Sequence, residues 1–146
     1  MSEADVIRQI LTHARTIAVV GLSPDPTRPS HYVARAMQAL GYRIIPINPA
    51  YAGQHILGET VYATLQEAAD ALASSGTHID VVDCFRKAEE MQPIAKDAID
   101  VRAGCLWMQL GIENQVAADL ARAAGLDVVM NHCMLIEHRK LGAQAA

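Results

Sequence analysis

The segment Gly21-Leu22-Ser23-Pro24-Asp25-Pro26-Thr27-Arg28-Pro29-Ser30 carries the residues best suited to hold an anion. A glycine closing an apolar run permits a tight turn, and Ser23 sets a hydroxyl beside exposed backbone N–H groups. Ser30 is expected to open a helix, whose first-turn N–H groups and positive dipole end attract negative charge. Arg28 stands two residues before it, where a guanidinium can grip a phosphate. A helix terminus gives an anion about 0.3–1 kcal/mol. A charged hydrogen bond from Arg adds about 1.5–3 kcal/mol. Together they fit a pyrophosphate or a phosphomonoester. The same residues also make an ordinary rigid, proline-rich loop with a capping serine and a solvated arginine.

The other candidates carry less. A dinucleotide fold would show G-x-G-x-x-G and an acidic residue about 20 positions further on. Only Gly21 of that set is present, and the second apolar run ends in Asn48-Pro49, so nicotinamide chemistry is disfavoured. Arg86-Lys87 follows an apolar run directly, which favours a phosphate clamp over the solvated start of a helix. Asp83 beside them has no nucleophile or second acid placed with it, so no catalytic constellation is visible. His132, Cys133, Glu137 and His138 lack the paired spacing of a zinc site, and a packed thiol with surface histidines is the plainer reading. Trp107 reads as packing, as do Cys84 and Cys105, which fall in apolar runs.

These residues must be positioned by β-branched runs that alternate with alanine-rich helical stretches. Ser2 caps a first helix with Val6, Ile7, Ile10 and Leu11 on one face. Strands are expected at Ile17–Gly21, Arg43–Ile47, Ile79–Asp83, Cys105–Met108 and Asp127–Met130. Pro46 lacks a ladder donor and marks a strand end or an edge. Helices are expected from Ser30 to Gly41, Leu65 to Ser74, up to Ala103 with Pro93 in a first turn, Glu113 to Ala124, and about Leu135 to Leu141. The segment Asn48 to Thr60 reads as a loop. Short connections between alternating strands and helices imply right-handed crossovers and an α/β, doubly wound, mostly parallel sheet in a single three-layer domain. An N-terminal helix would occupy 1–15, the core 16–141 and a tail 142–146. Ligands in such sheets bind at the carboxyl ends of the strands. That selects Gly21–Ser30, Asn48–Gly53, Asp83–Lys87 and Gln109–Glu113.

The 146 residues suit one domain with a real core. A net charge of −4 gives no broad attraction to nucleic acid or to an anionic membrane, and 4% aromatic residues leave little for base stacking. No apolar run reaches the roughly 18–20 residues of a membrane span. The acidic start Met1-Ser2-Glu3-Ala4-Asp5 is unlike an export signal. Three cysteines at wide spacings read as reduced thiols of a cytoplasmic protein.

The stretches VVGLSPDPTRPS (19–30), GYRIIPINPAYAG (41–53), ILGETVYATL (56–65), VVDCFRKAEE (81–90), LWMQLGIENQ (106–115) and AGLDVVMNHC (124–133) run in order over nearly the whole chain. In them the chain resembles the small CoA-binding proteins of Rossmann-like fold, related to the N-terminal domain of the succinyl-CoA synthetase α subunit. The resemblance implies that strand-end loops hold the nucleotide and pantetheine of coenzyme A or acyl-CoA. Gly21, Leu22 and Ser23 would approach the phosphates, with Arg28 assisting and Ser30 at the helix start. Asn48 and Pro49 would border the adenosine, and Phe85 and Arg86 would flank it. Met108, Gln109, Gly111 and Ile112 would lie nearer the pantetheine arm. His132 stands where the family often has Arg, which makes any anion contact there pH-dependent. The synthetase ligates through a phosphorylated histidine from a further domain, so ligase activity does not carry over. The reading is a binding protein, a sensor or carrier with room for a protein partner. A small acyltransferase or thioesterase and a nucleotide-responsive interaction module stay open beside it, as does a mixed disulfide between Cys133 and the CoA thiol.

Overall fold

A computed structural model describes residues 1–145. Helix α1 (Glu3–His13) begins at a capping box in which the Ser2 side chain accepts from the Asp5 N–H, and Ile7, Ile10 and Leu11 bury its inner face. The sheet strands are β1 (Thr16–Val20), β2 (Arg43–Ile47), β5 (Val81–Cys84), β6 (Cys105–Met108) and β7 (Asp127–Val129). They pair in parallel in the order β2-β1-β5-β6-β7. Pro46 lies in β2, the edge strand, where the missing donor is tolerated. Their near-continuous apolar character follows from burial on both faces.

Helices cover both faces. On one, α1, α2 (Pro29–Ala39) and α6 (Met134–Ala145) pack on Ile17, Val19, Val81 and Trp107. On the other, α3 (Leu65–Ala73), α4 (Met91–Asp100) and α5 (Gln115–Ala123) pack on Ala18, Val82, Leu106 and Met108. The α/β, doubly wound, three-layer architecture expected from the pattern is the one observed. The chain passes from β1 outward to β2, then crosses to β5 on the other side of β1. The order therefore reverses between β1 and β5, and a crevice opens at their carboxyl ends. Among the described residues no helix is long and apolar enough to cross a membrane.

Several local expectations are corrected. Ser30 does not cap α2. The helix begins at Pro29, with Arg28 in the cap position and no side-chain cap bond, because Pro29 supplies a preset first turn. The expected loop from Asn48 to Thr60 contains a 3-10 turn (Pro49–Tyr51) and a hairpin of β3 (His55–Ile56) and β4 (Glu59–Thr60). Two-residue strands show no alternation to read, and the turn uses Leu57 and Gly58 at positive φ. The last helix continues past Leu141, since Gly142 alone is too weak a break among good helix formers. Of the expected tail, Ala146 lies outside the described residues.

Candidate functional site

Where it leaves β1, the β1–α2 loop is stitched to the chain on either side, at β2 and after β5. The Gly21 N–H donates to the Ile47 carbonyl of β2 (2.8 Å), and the Phe85 N–H donates to the Val20 carbonyl (2.9 Å). Gly21 has φ +88°, and a Cβ there would lie 2.7 Å from the Phe85 carbonyl oxygen. Glycine is thus required both by the turn and by the approach of the β5 loop. Within the loop, Ser30 Oγ accepts from the Ser23 N–H (3.0 Å) and the His31 ring donates from Nδ1 to the Ser23 carbonyl (2.8 Å). Asn48 donates from Nδ2 to the Leu22 carbonyl (3.1 Å) and accepts from the Ala50 N–H (3.0 Å). Ser30 and Asn48 therefore hold the loop with the groups expected to face a ligand. Hydrogen bonds from the Thr27 N–H and hydroxyl, aided by the Arg28 charge, hold the Asp25 carboxyl below its usual range.

These loops enclose one cleft of about 1130 Å³ at the carboxyl ends of the strands. It exceeds the roughly 300–1,000 Å³ of a typical small-molecule site, so an extended ligand fits its size. Gly21, Ser23, Arg28 and Ser30 line one part of it. Asn48, Pro49, Phe85, Arg86, Gln109 and Ile112 come in from the other strand ends. Three expected residues are not brought to the cleft. Leu22 and Met108 are fully buried in the two cores, because Leu22 turns inward under α2 and Met108 is still on a strand facing α4 and α5. Gly111 shapes the turn after β6, and its N–H is taken by Asn131 Oδ1 (2.7 Å).

Sequence reading missed Tyr32, Ile136 and Arg139, which also line the cleft, and reached Tyr51 and Leu110 only as members of the strand-end segments. Ile136 and Arg139 are three apart on α6, an outward-facing pair that spacing alone could have flagged. Cys133 reaches the cleft half-buried, unlike the core thiols Cys84 and Cys105. His132 is turned away: its Nε2 lies 2.9 Å from Glu3 Oε1, tying α1 to the chain before α6.

The charge of the cleft opposes that of the chain. Arg28, Arg86, Lys87 and Arg139 line it against one carboxylate, Glu90, whereas the whole chain carries −4. Among the described residues, none of these four cations forms an ion pair within the protein. The field there favours a multiply charged anion. Below the floor, Asp83 on β5 is buried against Gln109. Gln109 donates from Nε2 to Asp83 Oδ1 and accepts at Oε1 from the Met134 N–H (3.3 Å). Burial pushes the Asp83 carboxyl up to about 7, the hydrogen bond from Gln109 opposing the shift. Among the described residues, no group of three or more His, Cys, Asp or Glu side chains is placed to hold a metal ion.

The comparisons agree with this geometry. A Bacillus subtilis (strain 168) protein, the uncharacterized protein YneT, is 36% identical over 132 residues, covering 90% of this chain and 91% of its own. The structure of a Thermus thermophilus protein described as cell-free ID.343 superposes with a TM-score of 0.83 at 33% identity, over 97% of this chain and 99% of that one. A hypothetical protein from Pyrococcus horikoshii OT3 gives a TM-score of 0.82 at 34% identity, over 97% and 92% of the two chains. The model of the family described as CoA binding domain matches residues 15–139, all five strands of the sheet and all of the cleft, and the chain belongs to that family.

Proposed function

We propose that the cleft binds coenzyme A reversibly and without chemistry of its own, so that the protein acts as a sensor or carrier of CoA or acyl-CoA. The observation that carries this is the concentration of unpaired cations at the β1/β5 crevice of an acidic chain. The 3′-phosphate and pyrophosphate of CoA match that charge, with Gly21 and Ser23 allowing close backbone approach and Arg28 and Arg86 closing on the phosphates. Pro49 and Phe85 border the adenosine, and the turn from Gln109 to Ile112 lies along the pantetheine. The unpaired cysteines support a reducing, cytoplasmic setting.

Calorimetric titration with CoA, dephospho-CoA and NAD tests the reading. CoA should bind more tightly than dephospho-CoA, and NAD weakly or not at all. Failure of CoA to bind at millimolar concentration would sink it. Arg28→Ala should weaken CoA by at least about 1 kcal/mol, a floor set just under the roughly 1.5–3 kcal/mol of a charged hydrogen bond. An unchanged affinity would remove Arg28 from the phosphate contacts.

A further inference from the structure

The cleft is lined by two unlike sets of side chains. Arg28, Arg86 and Lys87 bring charge to it, while Tyr32, Leu110 and Ile136 give it an apolar shelf. Tyr32, Leu110 and Ile136 are 44%, 65% and 43% exposed, three of the seven large apolar side chains exposed among the described residues. Leu110 is not on a loose tip. Its turn is pinned by the Ile112 N–H on the Gln109 carbonyl (2.9 Å) and by the Gly111 N–H on Asn131 Oδ1 (2.7 Å). A fixed apolar side chain held in water costs free energy that a bound apolar group recovers. A bare CoA thiol is too small to cover these side chains.

We propose that this shelf is an acyl subsite, and that the preferred ligand is an acyl-CoA with an apolar acyl group. The inference rests on the CoA reading of the same cleft and names the form of CoA that the cleft takes. The phosphates sit among the basic residues, and the thioester passes Cys133. The acyl chain lies over Leu110 and Ile136 against Tyr32.

Calorimetry on the full chain with CoA, acetyl-, butyryl-, hexanoyl- and palmitoyl-CoA tests this. Each fully buried methylene is worth about a fourfold gain, so a partly covered hexanoyl chain should raise affinity about tenfold over CoA. Affinity should rise from acetyl- through butyryl- and hexanoyl- to palmitoyl-CoA as more of the three side chains is covered. In Leu110→Ser/Ile136→Ser, two exposed positions whose replacement leaves both cores intact, the ratio of hexanoyl-CoA to CoA affinity should fall to about one. Equal binding of CoA and hexanoyl-CoA by the unaltered protein overturns the acyl subsite but leaves the CoA reading standing. A ratio that survives the double substitution also overturns it. Absence of binding by every CoA species overturns both.

Discussion

Raising the pH from about 5 to about 8 is expected to weaken the folded protein through one buried carboxyl group, Asp83. The group lies in β5, 2% exposed, and among the described residues its only side-chain bond comes from Gln109, which in turn accepts from the Met134 N–H at the start of α6. Burial raises its pKa to about 7, against an unfolded value of about 3.9. The folded state therefore keeps a proton that the unfolded chain has released between these values. Its stabilisation is complete below about pH 4, declines as pH rises, and is spent once pH has passed through about 7. Roughly three units correspond to a change of about 4 kcal/mol, taken as an upper bound. Asp83→Asn keeps the oxygen that accepts from Gln109 and removes the titration. Urea unfolding of both proteins from about pH 3 to about pH 8 should give curves that agree near pH 3, separate progressively between about pH 4 and 7 and run parallel above, the Asn variant being the more stable there by up to about that amount. Parallel curves over the whole range would show that Asp83 is ionised in the folded state throughout.

Asp83 illustrates what a sequence conceals. Its neighbours Val82 and Cys84 mark a buried strand, yet an aspartate at a strand's carboxyl end reads as a site residue. Whether it faces the ligand or lies beneath it depends on Gln109, 26 residues away, folding back over it. The same limit applies to Ser30 and Asn48. Their residue types suit a ligand, but loop closure consumes their polar groups. By contrast, the sheet was legible because parallel strands covered on both sides must be continuously apolar, and that signal is local. So was the cap at Ser2, whereas Pro46 narrowed its strand to an end or an edge, and only the strand order decides for the edge. Leu22 and Met108 show where a local signal ends. Each adjoins a cleft residue in sequence, and only the direction of its Cα–Cβ bond sends it into a core. Tyr32, Ile136 and Arg139 reach the cleft because α2 and α6 share one face of the sheet, a long-range arrangement.

Gly21→Ala should damage stability and binding together, and a second glycine separates the causes. Both Gly21 (φ +88°) and Gly125 (φ +94°) hold a conformation that alanine adopts at a cost of about 1–3 kcal/mol. Around Gly125, which follows α5 at the amino end of β7, a Cβ would meet nothing within 4 Å. At Gly21 it would stand 2.7 Å from the Phe85 carbonyl oxygen and 3.3 Å from the Arg86 Cδ. The first neighbour is backbone, anchored by the bond from the Phe85 N–H to the Val20 carbonyl, so it cannot swing aside as a side chain would. Relief requires the β1 and β5 loops to separate, and those loops carry Arg28 and Arg86. Gly125→Ala is therefore expected to lower stability by the backbone cost alone and to leave CoA affinity within twofold. Gly21→Ala should cost more than Gly125→Ala in urea unfolding and weaken CoA at least about tenfold, equivalent to about 1.4 kcal/mol. Equal losses of stability, with CoA binding intact in both, would mean that the two loops tolerate separation and that their spacing does not set the grip on the phosphates.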